Sequence, residues 1–191
     1  MPVRTSKASL TTTEVAVLGV LTWGPMSGYD VKKTVDSTVG YVWGPAKSQI
    51  YAVLPRLLED GLATSRTVAQ SQRPDKTVYR VTTAGRAALK AWIEETPPPP
   101  DPDRNPLLLK IFFGDVSSPD VLADQVRERR REAERLRNTL EGFDAEADPA
   151  DLYSALTRAW GHAYADAVIR WARKAERQLR AASRQGRVAE M

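Results

Sequence analysis

The stretch "TPPPPDPDRNP", residues 96–106, holds six prolines in eleven positions, and it is what most constrains the fold. Proline fixes φ and has no N–H to donate, so this segment is neither helix interior nor central strand. It favours extended polyproline II, at roughly 3 Å per residue, and reads as a semi-rigid spacer of up to about 30 Å. The chain of 191 residues is therefore expected to fold in two parts. Residues 1–96 and 107–191 are the folded domains, and 97–106 the linker.

Charge separates the same two parts. Residues 1–96 carry 12 Lys/Arg against 8 Asp/Glu, whereas residues 97–191 carry 16 of each, so the whole net charge of +4 lies in the first part. A basic part beside a neutral one suggests a polyanion binder joined to a separate partner domain.

The first part alternates helix signals with one hairpin. "TTTEVAVLGVLTWG" opens with a capping-box pattern, Thr11 with Glu14, ahead of an apolar run. "SGYDVKKTVDSTV" starts a second helix with Ser27 as N-cap and Asp30 three residues on. Residues 46–60 form a third helix, with Ile50, Leu54, Leu57 and Leu58 on one face and Gly61 at its stop. Pro55 stands inside it, which predicts a continuous but bent helix. "LATSRTVA" and "KTVYRVT" are β-rich runs around a polar turn. "TTAGRAALKAWIEE" returns to helix, with Ala88, Leu89, Trp92 and Ile93 as its apolar face.

Three helices, two strands and a helix is the order of a winged helix-turn-helix, in which the third helix enters the major groove. The residues leading that helix suit base and phosphate contacts. Lys47 can bond guanine or a phosphate, Gln49 can read adenine, Ser48 can bond either, and Tyr51 adds an aromatic body with a hydroxyl. The wing tip brings Arg73 and Lys76 within reach of phosphate or the minor groove. Ser27 and Tyr29 mark a helix N-terminus that can present N–H groups to a phosphate.

The second part is all helix. Leu122, Val126, Arg129, Ala133, Leu136, Leu140 and Phe143 fall in heptad spacing. A last helix from about Leu152 to Arg184 carries Tyr153, Leu156, Trp160, Tyr164, Val168, Trp171, Ala175 and Leu179. This apolar surface predicts self-association as a two-fold dimer, with Leu122, Val126, Leu136, Leu140, Phe143, Trp160, Tyr164 and Trp171 as dimer contacts. The fold class is thus mainly α with a small β-hairpin wing: an N-terminal winged helix-turn-helix and a C-terminal helical dimerisation domain.

Catalysis is not expected. The sequence has one histidine, His162, and no cysteine. It lacks the phosphate-loop, dinucleotide and serine-hydrolase motifs, so no catalytic residue, metal or cofactor is assigned. No apolar run reaches the roughly 18 residues a membrane span needs. The N-terminus does not read as a signal peptide, so the expected location is the cytoplasm.

The stretches "AVLGVLTWGPMSGYDVKK", "SQIYAVLPRLLEDGLATSR" and "KTVYRVTTAGRAALKAWI" resemble the PadR family of bacterial winged-helix transcription regulators. They match its Ser-Gly-Tyr opening of the second helix, its recognition helix ending in acid-Gly, and its step from wing to fourth helix. "LLLKIFFGD" and "YADAVIRWARKAERQL" are similar to the larger subfamily with a helical dimerisation domain. The resemblance implies a homodimer that binds double-stranded DNA at a palindromic operator, usually as a ligand-responsive repressor. It carries Tyr29, Ser48, Gln49 and Tyr51 as site residues, with Lys76 beside the wing. Many members of the family respond to small aromatic or cationic amphipathic molecules, a small aromatic effector among them, but the resemblance does not carry over which. Trp43, Trp160, Tyr164 and Trp171 could line a pocket for one, but their spacing is first of all core spacing. The alternative function is a dimeric small-molecule sensor or protein-interaction adaptor without DNA binding.

Overall fold

The computed structural model describes residues 10–69, 75–95, 97, 105–148 and 151–189. The chain divides into two compact units, residues 1–99 and 100–191. Most of the proline-rich stretch lies outside the described residues, as does Arg73.

In the first unit, α1 (Thr12–Leu21) starts on the expected capping box. The Thr11 N–H donates to Glu14 Oε2 at 2.8 Å, and the Glu14 N–H donates to Thr11 Oγ1 at 3.3 Å. Val17, Leu18, Val20 and Leu21 are all buried, as in a helix surrounded by others. β1 (Met26–Ser27) leads directly into α2 (Gly28–Ser37). α3 (Lys47–Glu59) runs without interruption through Pro55. Its apolar face, Ile50, Val53, Leu54 and Leu57, closes the core against Val17, Leu18, Leu21, Val31 and Val35. Pro55 is exposed and has no N–H to offer the Tyr51 carbonyl.

α3 stops as the sequence predicts. Gly61 sits at φ 68°, where a side chain would be strained. Its N–H bonds the Leu58 carbonyl at 3.0 Å, and the Leu62 N–H bonds the Leu57 carbonyl at 2.8 Å. This pair is the Schellman closure that satisfies the helix's last acceptors.

β2 (Ala63–Val68) and β3 (Lys76–Val81) form the wing in antiparallel register, with Ala63 opposite Val81 and Val68 opposite Lys76. The sheet has a third strand that the expected two-stranded hairpin lacks. β1 lies on the other side of β3, with Met26 opposite Tyr79 and Ser27 opposite Val78. α4 (Thr83–Glu95) follows from Thr82. Ala88, Leu89 and Trp92 are half-buried, but Ile93 is 65% exposed. Ile93 therefore does not belong to the buried face expected for this helix.

In the second unit, α5 (Pro106–Phe112) is capped by Asn105, whose Oδ1 accepts from the Leu107 N–H at 3.0 Å. A 3-10 turn at Gly114–Val116 leads to α6 (Pro119–Ala145) and then α7 (Leu152–Ala189). α6 and α7 form an antiparallel hairpin. Asp120 near the start of α6 meets Arg180 at 2.8 Å near the end of α7, and Arg127 meets Glu176 at 2.8 Å. At the turn end, Asp144 meets Arg158 and His162 at 2.7 Å each.

Leu122, Val126, Ala133 and Leu140 of α6 are buried with Ala165, Ile169 and Ala172 of α7. This revises the expected intermolecular seam. The α6 heptad is filled by α7 of the same chain, so Leu122, Val126 and Leu140 have no surface left for a second copy. Leu136, Phe143 and Trp171 are half-buried. Trp160, 59% exposed, and Tyr164 stay on the outside. Among the described residues no helix is long and apolar enough to cross a membrane.

Candidate nucleic-acid interface

The first turn of α3 is the centre of the candidate surface. Its N-cap is Ala46, which has no side-chain acceptor, so the turn is held from the other side. The Ala46 N–H donates to Gln49 Oε1 at 2.8 Å. Gln49 is exposed, but its carbonyl oxygen is thus already engaged. A two-point grip on adenine needs both ends of the amide and would cost the helix this cap. Gln49's NH2 is the group left to donate. Lys47 and Ser48 are exposed. The Lys47 ammonium lies 5.7 Å from the centre of the Tyr51 ring, a cation–π distance.

Tyr51 joins α3 to α2. A Cβ at Gly28 would lie 3.1 Å from two Tyr51 ring atoms, so a glycine at the start of α2 gives the ring its seat. The ring remains 46% exposed. Tyr29, one residue on, is 64% exposed. Tyr51 thus stands on the surface that Lys47 presents.

Ser27 is the N-cap of α2, as its place in the sequence predicts. It is buried, and its hydroxyl donates to Asp30 Oδ2 at 2.7 Å while accepting from the Asp30 N–H at 3.2 Å. The Ser27 N–H also donates to Asp30 Oδ2, at 3.1 Å. This side chain builds the helix start and is not offered to a ligand.

Lys76 reaches the same carboxylate, its Nζ standing 3.3 Å from Asp30 Oδ2. The Ser27 hydroxyl first, with the Ser27 N–H and Lys76, holds the Asp30 carboxyl below its usual range. Lys76 is therefore anchored to α2 and is not a free cation at the wing tip. That anchor fixes the wing against the helix-turn-helix, and the pair is exposed enough for a phosphate to compete for the lysine.

Two further cations belong to the wing. Arg66 in β2 and Arg80 in β3 are exposed. Period-two alternation in "ATSRTV" and "KTVYRV" is the signal that puts them on one face. Arg56 of α3 is engaged in the fold, with Nη2 3.3 Å from Glu14 Oε1 on α1. Among the described residues, no group of three or more His, Asp or Glu is arranged to hold a metal ion.

Comparison with known proteins adds to this geometry. Residues 17–91 match the transcriptional regulator PadR-like family, and residues 104–180 match the virulence activator alpha C-term family. Over 143 residues the chain is 31% identical to the negative transcriptional regulator PadR of Bacillus subtilis, spanning 73% of this chain and 79% of that protein. The crystal structure of that PadR with operator DNA superposes with a TM-score of 0.75 at 24% identity, covering 88% of this chain and 99% of the other. The same protein has been crystallised with p-coumaric acid, where the TM-score is 0.69 at 24% identity over 89% and 98% of the two chains. The Vibrio cholerae virulence activator AphA superposes with a TM-score of 0.70 at 25% identity, covering 89% of this chain and 99% of its own.

Proposed function

Because the chain belongs to the PadR-like family of transcriptional regulators, we propose that it binds a palindromic operator as a homodimer and represses transcription from it. The observation that carries this reading is the first turn of α3. Lys47, Ser48 and Tyr51 stand exposed there on a helix whose other face is sealed into the core. Two such helices would enter successive major grooves about 34 Å apart. Basic residues would supply the salt-dependent part of affinity, and Lys47, Ser48 and the Gln49 NH2 the selectivity.

Repression is favoured over activation by the relative described as a negative regulator, and such a protein acts in the cytoplasm. The dimer reading rests on the outer side of α7, where Leu152, Tyr153, Leu156 and Trp160 are exposed large apolar side chains. A small aromatic effector is the ligand class that fits Trp160 and Tyr164. Their rings stack at 5.4 Å and 7°, with the Arg129 guanidinium 5.9 Å from the Tyr164 ring. Neither ring is buried within the chain.

A mobility-shift titration on the chain's own promoter region at about 100 mM salt tests the reading. Selective retardation that K47A/S48A abolishes is the expected result. Equal binding to operator and random duplex would refute it. Sedimentation tests the dimer: a species of 21.2 kDa at micromolar concentration would refute self-association.

A further inference from the structure

We propose that the α6–α7 hairpin carries a binding site for a small oligophosphate anion, built on a stripe of arginines along α7. The site lies wholly in the second unit and stands apart from the DNA-binding reading. Arg173, Arg177, Arg180 and Arg184 follow one another at steps of four, three and four residues, which puts all four on one face of the helix. At 1.5 Å per residue the stripe is about 16 Å long. With Arg130 of α6 and Glu176 these side chains line a cleft of about 400 Å³. Among the described residues no aromatic or aliphatic side chain lines it.

α6 balances its arginines locally. Arg127, Arg129, Arg130, Arg131 and Arg137 each meet an acid three or four residues away on that helix. The α7 stripe has no such partner on its own helix among the described residues. Arg173 meets Glu134 at 3.6 Å and Arg180 meets Asp120 at 2.8 Å, both acids of α6. Arg177 and Arg184 are exposed and make no ion pair among the described residues. Like charges three or four residues apart destabilise a helix, and Arg177 stands in both relations, to Arg180 and to Arg173. Glu176 does not relieve them. Its carboxylate meets Arg127 at 2.8 Å and Arg130 at 3.5 Å, and Arg127 first holds that carboxyl below its usual range. Glu176 therefore stays ionised and ties Arg130 to the wall of the cleft. An anion in the cleft supplies the missing countercharge. Guanidinium forks match phosphate oxygens in pairs, and a stripe of this length offers them to successive phosphoryl groups. With no side chain there to stack on a base or enclose an acyl group, recognition ends at the phosphates.

Isothermal titration of the full chain with inorganic triphosphate, at about 100 mM salt, tests the site in two variants. R177Q/R184Q removes the two arginines without ion pairs and should weaken triphosphate binding at least about tenfold. R131Q/R135Q takes the same charge from exposed positions of α6 outside the cleft and should bind as the wild type does. Without ligand, R177Q/R184Q should melt at or above the wild-type Tm, because it relieves like-charge pairs. Triphosphate should raise the Tm of the wild type and not of that variant. A wild type that does not bind triphosphate, or equal weakening in both variants, overturns the site. ATP should bind about as tightly as triphosphate, and a clear preference for ATP would overturn the assignment to the phosphate chain. R177Q/R184Q should also sediment as the wild type does and keep its salt slope on a random duplex. A changed oligomeric state would make the stripe a contact between copies, and a lower slope would make it a DNA contact. Either result overturns the proposal. Its failure leaves the operator reading intact, which K47A/S48A tests separately.

Discussion

Gly85→Ala should be the most damaging single-methyl change in the first unit. A Cβ at residue 85 would lie 2.1 Å from the Leu62 carbonyl oxygen and 2.9 Å from Val81 Cγ2. Carbon–oxygen contacts normally stand at about 3.3–3.6 Å, so more than an ångström of room must be made. The obstacle is backbone, and that backbone is engaged. The Leu62 carbonyl accepts from the Thr82 N–H at 3.0 Å, and Thr82 Oγ1 both donates to the Gly61 carbonyl at 2.8 Å and accepts from the Gly85 N–H at 3.0 Å. Overpacking costs about 1–3 kcal/mol, and a lost hydrogen bond adds about 1. Alanine's better helix propensity returns a little under 1 kcal/mol. The expected net is a loss of about 1–3 kcal/mol, or roughly 5–20 °C in Tm for a domain of this size. Circular dichroism melts of wild type and G85A measure it. Because Leu62 leads into β2, operator affinity should fall as well. A G85A melt at or above the wild-type temperature would refute the close-approach argument.

Two further perturbations test other parts of the fold. Pro55→Ala restores an N–H in the interior of α3 at an exposed position and should stabilise the chain by about 1–3 kcal/mol in urea unfolding. An unchanged or lower midpoint would mean that the rest of the fold depends on the helix path the proline sets. Asp144 ties the two ends of the α6–α7 turn, and its contacts with His162 first and Arg158 next hold its carboxyl below the usual range. A carboxyl depressed in the folded state stabilises above its unfolded pKa, near 4, and loses that contribution as pH falls through its folded value. D144N should therefore have a lower urea midpoint than the wild type at pH 7, and the two curves should converge as the pH falls through the depressed folded-state value. Parallel curves across that range would show that the contact contributes nothing.

What the sequence revealed was local. Thr11 with Glu14 and Ser27 with Asp30 close capping boxes as read, because each bond joins residues three apart. Gly61 closes α3 for the same reason. β1 was illegible: two residues show no alternation, and its pairing with β3 spans some fifty positions of chain. The engagement of Lys76 was hidden likewise, since it depends on Asp30, the capping acid of α2, meeting the wing. Residue type showed what these side chains can bond, but only the fold shows which of them are already bonded. Arg66 and Arg80 were visible as letters, yet their sharing one face of the wing is a three-dimensional fact.

The heptad of α6 shows the limit most clearly. Knobs at 3.5-residue spacing require a facing helix, but the spacing does not say which chain supplies it. Here the loop to α7 is short, and a short connection makes antiparallel neighbours of consecutive helices. Leu122, Val126 and Leu140 of α6 are buried within the chain, and the buried residues of α7 are Ile169 and the small Ala165 and Ala172. Small residues on that side let the helices approach closely. They also push α7's large aromatics to the opposite side, where Tyr153 and Trp160 remain exposed. The proposed dimer surface thus moves from the α6 seam to the α7 aromatics. Disruption of the dimer by W160A/Y164A with the hairpin intact would follow from that geometry, whereas a truncation at Leu122 or Val126 should unfold the hairpin itself.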